Sequence, residues 1–235
     1  MKIKTALTPH ELNPEFIINK CVVLVDVLRF STTILTAFKN GTRMALPVKS
    51  TEEAIALYES IGKDEAILCG ERQGKIIEGF QLGNSPLEYL PEIIMGKTLI
   101  FSTTNGTRAI ARTGGAETVL IGAFINLSRI RDAVRTNDEL YLLCAAQDGR
   151  FALEDFLFCG ALAREIQPDD ADDATRAAID LYSSIDDLSQ SLKDCDHGRY
   201  LASINFTNDI KYAAKIDAVD VVLQYKDGRI SKIDN

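Results

Sequence analysis

Histidine is nearly missing from this chain. Among 235 residues there are two, His10 and His197, and there is no tryptophan. Two isolated histidines cannot form HxH or HExxH, which excludes paired-histidine zinc sites and a histidine-rich binuclear phosphatase centre. Five cysteines (Cys21, Cys69, Cys144, Cys159 and Cys195) fall at irregular spacing with no CxxC. That pattern predicts free thiols in a reducing cytoplasm and no disulfide framework. No apolar run is long enough to span a bilayer; Cys21 to Val27 is short and carries Asp26. Met1-Lys2-Ile3-Lys4 lacks the apolar stretch of a signal peptide. A GxGxxG fingerprint, a GxSxG elbow and Walker spacing are also absent, and Leu28 stands where a DxD phosphatase would have its second Asp. Basic residues are outnumbered, 26 against 34, for a net charge of −8. Such a surface excludes non-specific nucleic-acid binding, although a local Arg cluster can still invert the potential of one cleft.

What the chain does have is apolar content, 46% of residues, with ten Phe and seven Tyr. That suffices for one large, mostly aliphatic core. Strand-like and helix-like segments alternate. Cys21-Val22-Val23-Leu24-Val25 is a β-branched run of the kind buried on both faces of a sheet. A helix follows over Ser31 to Lys39, then strand-like Met44 to Val48, then a helix from the Ser50 cap to about Ile61. Further strands are expected at Ala66–Cys69, Thr98–Phe101, Val119–Ile121 and Leu140–Leu143, with helices at Gly106–Arg112 and Ala152–Glu165. The alternation predicts a single α/β domain over residues 1–235, a three-layer α/β/α arrangement around a parallel or mixed sheet. Residues 168–215 read as a helical excursion rich in Asp and Ala, and Lys226-Asp227-Gly228-Arg229 as a hairpin turn. A symmetric homodimer is the base-rate expectation. Segments 20–50 and 97–122 echo each other: apolar strand, Ser-Thr-Thr, helix, glycine turn, strand. They are either a duplicated βα unit or two ordinary units that share good helix caps.

Four polar clusters follow strands, where open α/β sheets bind ligands. The first is Asp26 to Thr33, in which a carboxylate closes a buried strand, Arg29 offers a fork suited to phosphate or sulfonate, and Ser31 or Thr32 can cap the next helix. The second is Ser102-Thr103-Thr104-Asn105-Gly106-Thr107-Arg108, whose small residues let an anion approach the backbone. The third is Gly70-Glu71-Arg72-Gln73-Gly74-Lys75 with Gly79 to Pro86, including Asn84 and Ser85. The fourth is Cys144 to Asp155, where adjacent Glu154 and Asp155 could bind hard Mg²⁺ or simply complement a helix dipole. Cys144 and Arg150 also have the C-x5-R spacing of cysteine-dependent phosphatases, with Leu143 in place of the usual His; the alternative is that Cys144 is a small buried residue. Each cluster also has a plain reading as a strand-end ion pair, a polar turn or a surface loop.

Taken in order, VDVLRFSTT, GERQG with GFQLGNSP, STTNGTRA and CAAQDGRFALEDFLFCGA resemble the 2-phosphosulfolactate phosphatase family, most clearly over residues 20–165. The resemblance implies a Mg²⁺-dependent acid phosphatase that converts 2-phospho-3-sulfolactate to 3-sulfolactate and phosphate, in some archaea a step of coenzyme M synthesis. It implies an α/β/α fold peculiar to the family. It places the site on Asp26, Arg29, Ser31 and Thr32, on Glu71, Arg72, Asn84 and Ser85, on Ser102 to Arg108, and on Asp148 to Asp155. Ala146 stands where a glycine is expected. The expected mechanism has Mg²⁺ between Asp26, Glu154 or Asp155, and a phosphoryl oxygen, with Arg29, Arg72 and the loop amides neutralising the other oxygens. Asp26 is a ligand or a nucleophile, and Glu71 an acid, a ligand or a partner for Arg72. Competing readings are a metal-independent cysteine phosphatase on Cys144 and Arg150, a phosphatase for another 2-phospho-hydroxy acid, and a non-catalytic binding protein for small phosphorylated or sulfonated acids.

Overall fold

The structure is a computed structural model and describes residues 1–233. In chain order the elements are β1 (Lys2–Ala6), β2 (Cys21–Val25), α1 (Phe30–Lys39), β3 (Met44–Pro47), α2 (Thr51–Ile61), β4 (Ala66–Arg72), β5 (Lys75–Ile76), α3 (Pro91–Ile94), β6 (Thr98–Ser102), α4 (Gly106–Ile110) and β7 (Thr118–Gly122). They continue with α5 (Leu127–Val134), β8 (Glu139–Cys144), α6 (Leu153–Ile166), β9 (Asp170–Ala171), α7 (Asp173–Ser183), α8 (Leu188–Asp194), α9 (Asp196–Ser203), α10 (Thr207–Ala213), β10 (Leu223–Lys226) and β11 (Arg229–Lys232).

The sheet has the order β5-β4-β6-β3-β11-β10-β7-β2-β8-β1-β9. It consists of two parallel blocks, β4-β6-β3 and β7-β2-β8-β1, joined by the antiparallel β10–β11 hairpin. Reversing the order about that hairpin maps β2 onto β6, β3 onto β7 and β8 onto β4. Duplication of a βα unit would produce this order, and so would two unrelated crossings of the hairpin. Asp227 and Gly228 both have positive φ, 50° and 78°, as the tight hairpin turn requires.

Side chains of β2 alternate between two cores. Cys21, Val23 and Val25 pack with α5 to α10, while Val22 and Leu24 pack with α1, α3 and α4. Burial on both faces is what the continuous apolar run encodes. The mixed sheet is therefore the middle layer of an α/β/α sandwich. Helices α7–α10 are part of one outer layer rather than an appendage: Tyr182, Leu192, Leu201 and Ile210 are in the same core as α6. Gly160 makes that packing close, since a Cβ there would lie 2.1 Å from the Ala178 carbonyl oxygen. β1 was not expected. With Lys at two of its five positions it lacks the apolar signature of a strand, yet it pairs with both β8 and β9.

Candidate active site

One cavity of about 350 Å³ is lined from five places. Asp26, Leu28 and Arg29 follow β2; Glu71, Arg72, Gln73 and Gly74 end β4; Thr103, Thr104 and Asn105 follow β6; Gln147 and Asp148 follow β8; and His197 and Tyr200 come from α9. Asn84 completes the wall. The β2–α1 and β6–α4 loops are pressed together by Phe30, whose ring meets Phe101 edge-on at 5.5 Å. Gly106 permits this, because a Cβ there would come within 2.6 Å of the same ring.

The Asp26 carboxylate is buried, and its Oδ1 accepts the Phe30 N–H at 3.2 Å. Burial pushes its carboxyl up to about 7, against the lowering pull of His197 and the Phe30 N–H, with Glu154 and Glu71 adding to the rise. Ser31 and Thr32 do not line the cavity. Ser31 Oγ accepts the Asp26 N–H at 3.0 Å and Thr32 Oγ1 donates to the Val27 carbonyl at 2.8 Å, so both hydroxyls brace the loop that aims Asp26.

Arg29 is spoken for. Its guanidinium donates to Asp209 Oδ2 at 2.9 Å and to the Gly74 carbonyl at 2.7 Å, and lies 4.2 Å from the Phe206 ring centre. Ser85 Oγ donates to the other Asp209 oxygen at 2.7 Å. Ser85 therefore belongs to a buried network that ties α10 to the cavity floor. Glu71 accepts the Gly74 N–H at 2.8 Å and the Thr104 N–H at 3.0 Å, which fixes two loops against each other. Glu71 lines the cavity as well as bracing it. Arg72 donates to Ser102 Oγ at 2.9 Å, so Ser102 acts behind the wall. Thr107 bonds Thr103, and Arg108 is exposed outside the main cavity. The Asn84 side-chain oxygen is buried without a partner while its residue lines the cavity, an unmet polar group of the kind a ligand satisfies.

Asp155 and Glu154, expected beside Asp26 as alternative metal ligands, are engaged elsewhere. Asp155 accepts the Val27 N–H at 2.9 Å and the Ala146 N–H at 3.3 Å, and so holds the β2 and β8 loops together. Burial first, then Glu154, hold its carboxyl well above the usual range. Glu154 sits behind His197, whose Nδ1 lies 3.0 Å from Glu154 Oε1. Among the described residues no three His, Cys, Asp or Glu side chains form a group able to hold a metal ion. Hard Mg²⁺ needs only one or two carboxylates when water and phosphate oxygens complete its shell. Asp26 and the unpartnered Asn84 oxygen, which line the same cavity, fit that mode; Glu154 and Asp155 do not line it.

Cys144 and Arg150 are not assembled as a phosphate loop. Cys144 is fully buried and its thiol lies 3.6 Å from that of Cys159; this neighbour and burial hold it well above its ordinary pKa. Arg150 is exposed, and its backbone pairs with Gln147. A thiol in that state is a poor nucleophile. Cys144→Ala is expected to keep phosphatase activity within about threefold, since it removes only buried volume. A loss beyond about 100-fold in a folded variant would return the thiol to the chemistry.

Ala146 has φ +65°. The missing glycine thus falls at a left-handed position, and Ala146→Gly is expected to raise stability by about 1 kcal/mol in denaturant titration.

Sequence reasoning missed His197, Tyr200 and Asp209. Tyr200 Oη donates to the Gln73 carbonyl at 2.9 Å and helps hold the β4–β5 turn. The one signal for His197 was the rarity of histidine, because nothing in residues 168–215 has a motif spacing.

A family model described as 2-phosphosulpholactate phosphatase matches residues 6–228. A protein of Caldanaerobacter subterraneus subsp. tengcongensis named probable 2-phosphosulfolactate phosphatase is 37% identical over 233 residues, 97% of each chain. Relatives with the same name are 37% identical in Thermotoga maritima, covering 86% of this chain and 88% of theirs, and 35% identical in Clostridium acetobutylicum, covering 98% and 100%.

Proposed function

The chain belongs to the 2-phosphosulfolactate phosphatase family, and on that footing we propose that it hydrolyses 2-phospho-3-sulfolactate to 3-sulfolactate and phosphate in the cavity around Asp26. The observation that carries this reading is the convergence of all four strand-end clusters on one polar cavity whose central carboxylate forms no salt bridge among the described residues. Phosphoryl transfer needs mainly positioning and charge stabilisation.

Asp26, with the Asn84 oxygen of the same cavity, is the group that would hold Mg²⁺. The ion, when bound, would neutralise phosphoryl oxygens and acidify water. Arg72, held by Ser102 and by backbone carbonyls, directs fixed positive charge at the wall shared with Thr103 and Thr104. His197 has Nδ1 engaged by Glu154, which leaves Nε2 to hand a proton to the departing alkoxide oxygen. Glu71, Ser31, Thr32 and Asp155 hold the loops in register.

A cytoplasmic location is part of this proposal, supported by five thiols that are all unpaired and buried, as a reducing compartment would keep them. Among the described residues no helix is long and apolar enough to cross a membrane. A role in coenzyme M synthesis belongs to this proposal as well.

A substrate panel tests it. The value of kcat/KM should be at least about tenfold higher for 2-phospho-3-sulfolactate than for phospholactate or phosphoglycolate, because groups placed for the sulfonate are left unpaired by the others. Equal values would move the substrate to 2-phospho-hydroxy acids in general.

A further inference from the structure

A second compartment of similar size, about 350 Å³, adjoins the main cavity and is lined by Lys49, Arg72, Thr103, Thr104, Thr107 and Arg108. Arg72, Thr103 and Thr104 line both spaces. Their linings differ in charge. The first mixes Asp26, Glu71 and Asp148 with Arg29, Arg72 and His197, whereas the second is lined by Lys49, Arg72 and Arg108 and, among the described residues, by no carboxylate.

The chain positions these cations deliberately. Lys49 directly precedes α2, whose Ser50 cap accepts the Glu53 N–H at 3.2 Å; Glu53 in turn accepts the Lys49 backbone N–H at 2.9 Å. That bond fixes the Lys49 backbone and leaves its ammonium at the rim. Arg108 projects from α4 and is exposed. No salt bridge among the described residues engages Lys49 or Arg108; Glu53 meets only the Lys49 backbone, and Glu52 lies within electrostatic reach of Arg72. Thr103, Thr104 and Thr107 line the compartment with the cations.

A substrate that carries two strong anions on adjacent carbons must place each of them. The reacting phosphoryl group has to meet Asp26 and His197, which lie only in the first cavity. The second compartment has no acid or base to act on a phosphoryl group, but it has what a permanently ionised three-oxygen anion needs: point charges, a planar fork and hydroxyl donors. We infer that this compartment receives the sulfonate end of the substrate, with Lys49 and Arg108 as the residues that set specificity for it. The inference rests on the phosphatase reading for its choice of anion.

The test compares wild type with Lys49→Met/Arg108→Met, both changes being at exposed positions. Two readouts are taken: the ratio of kcat/KM for 2-phospho-3-sulfolactate to that for phospholactate, and the Kd of 3-sulfolactate by calorimetry. The ratio should fall at least about tenfold, and 3-sulfolactate should bind at least about tenfold more weakly. An unchanged ratio, with both substrates losing equally, would overturn the assignment, as would an unchanged Kd. If wild type released no phosphate from either substrate yet bound 3-sulfolactate in a way the double variant lost, the phosphatase reading would fall and the anion compartment would stand. Failure of wild type to bind 3-sulfolactate would overturn the compartment assignment whatever the hydrolysis data.

Discussion

Asp26→Asn is expected to reduce phosphate release by at least about 1,000-fold and, at the same time, to raise the melting temperature of the metal-free protein at pH 8 by several degrees. Both effects have one cause. The carboxylate is buried, and its one hydrogen-bond donor among the described residues is the Phe30 N–H, which an Asn oxygen can also accept. With its folded carboxyl raised to about 7, Asp26 binds its proton more tightly in the folded chain than in the unfolded one. Its contribution to stability is therefore fully present below about pH 4 and is lost as pH rises through about 7. The gain from Asn should accordingly be large at pH 8 and vanish near pH 4. Adding Mg²⁺ should raise the melting temperature of the wild type and leave the variant unmoved, since only the native carboxylate offers the charge. A variant that is active, or one destabilised at pH 8, would remove Asp26 from its assigned place.

The second large effect lies in the network beneath the cavity. Arg29 and Asp209 form an ion pair with each side chain 2% exposed, and every bond of that pair crosses between distant parts of the chain. Arg29→Met leaves the Asp209 carboxylate buried without its cation, and should cost about 3–5 kcal/mol and about 10 °C in melting temperature. Asp209→Leu should do comparable harm by stranding the guanidinium against Phe206. The double variant Arg29→Met/Asp209→Leu should recover most of that stability, because removing both charges of a buried pair is far cheaper than removing one. It should not recover activity, since the Gly74 turn loses its anchor. Additive losses in the double variant would show that the pair does not act as a unit.

These two networks mark the boundary of what the sequence could convey. The β2 run, the Ser50 cap and the Asp227-Gly228 turn are local signals, and each became the element it foretold. The mixed α/β/α sandwich follows from that alternation. Sheet order was not legible, because a short hairpin of polar character sits between the two parallel blocks. Within the site, loops after strands were legible because strand ends bind ligands. What each residue does there was less so. Glu71 and Asp155 each accept two backbone N–H groups and so brace loops, a role that leaves no trace in spacing. Arg29 looked like an anion clamp, but its partner lies 180 positions away. His197 became visible only when α9 was packed over the cavity.

The central claim is that the Asp26 cavity cleaves a phosphate ester with the help of a divalent cation. Its most direct test is phosphate release from 2-phospho-3-sulfolactate by the purified wild-type protein, measured with Mg²⁺ and with excess EDTA in its place. The account predicts release with Mg²⁺ that stops in EDTA and returns when Mg²⁺ is restored. Release that continues undiminished in EDTA, or no release under either condition, would contradict it.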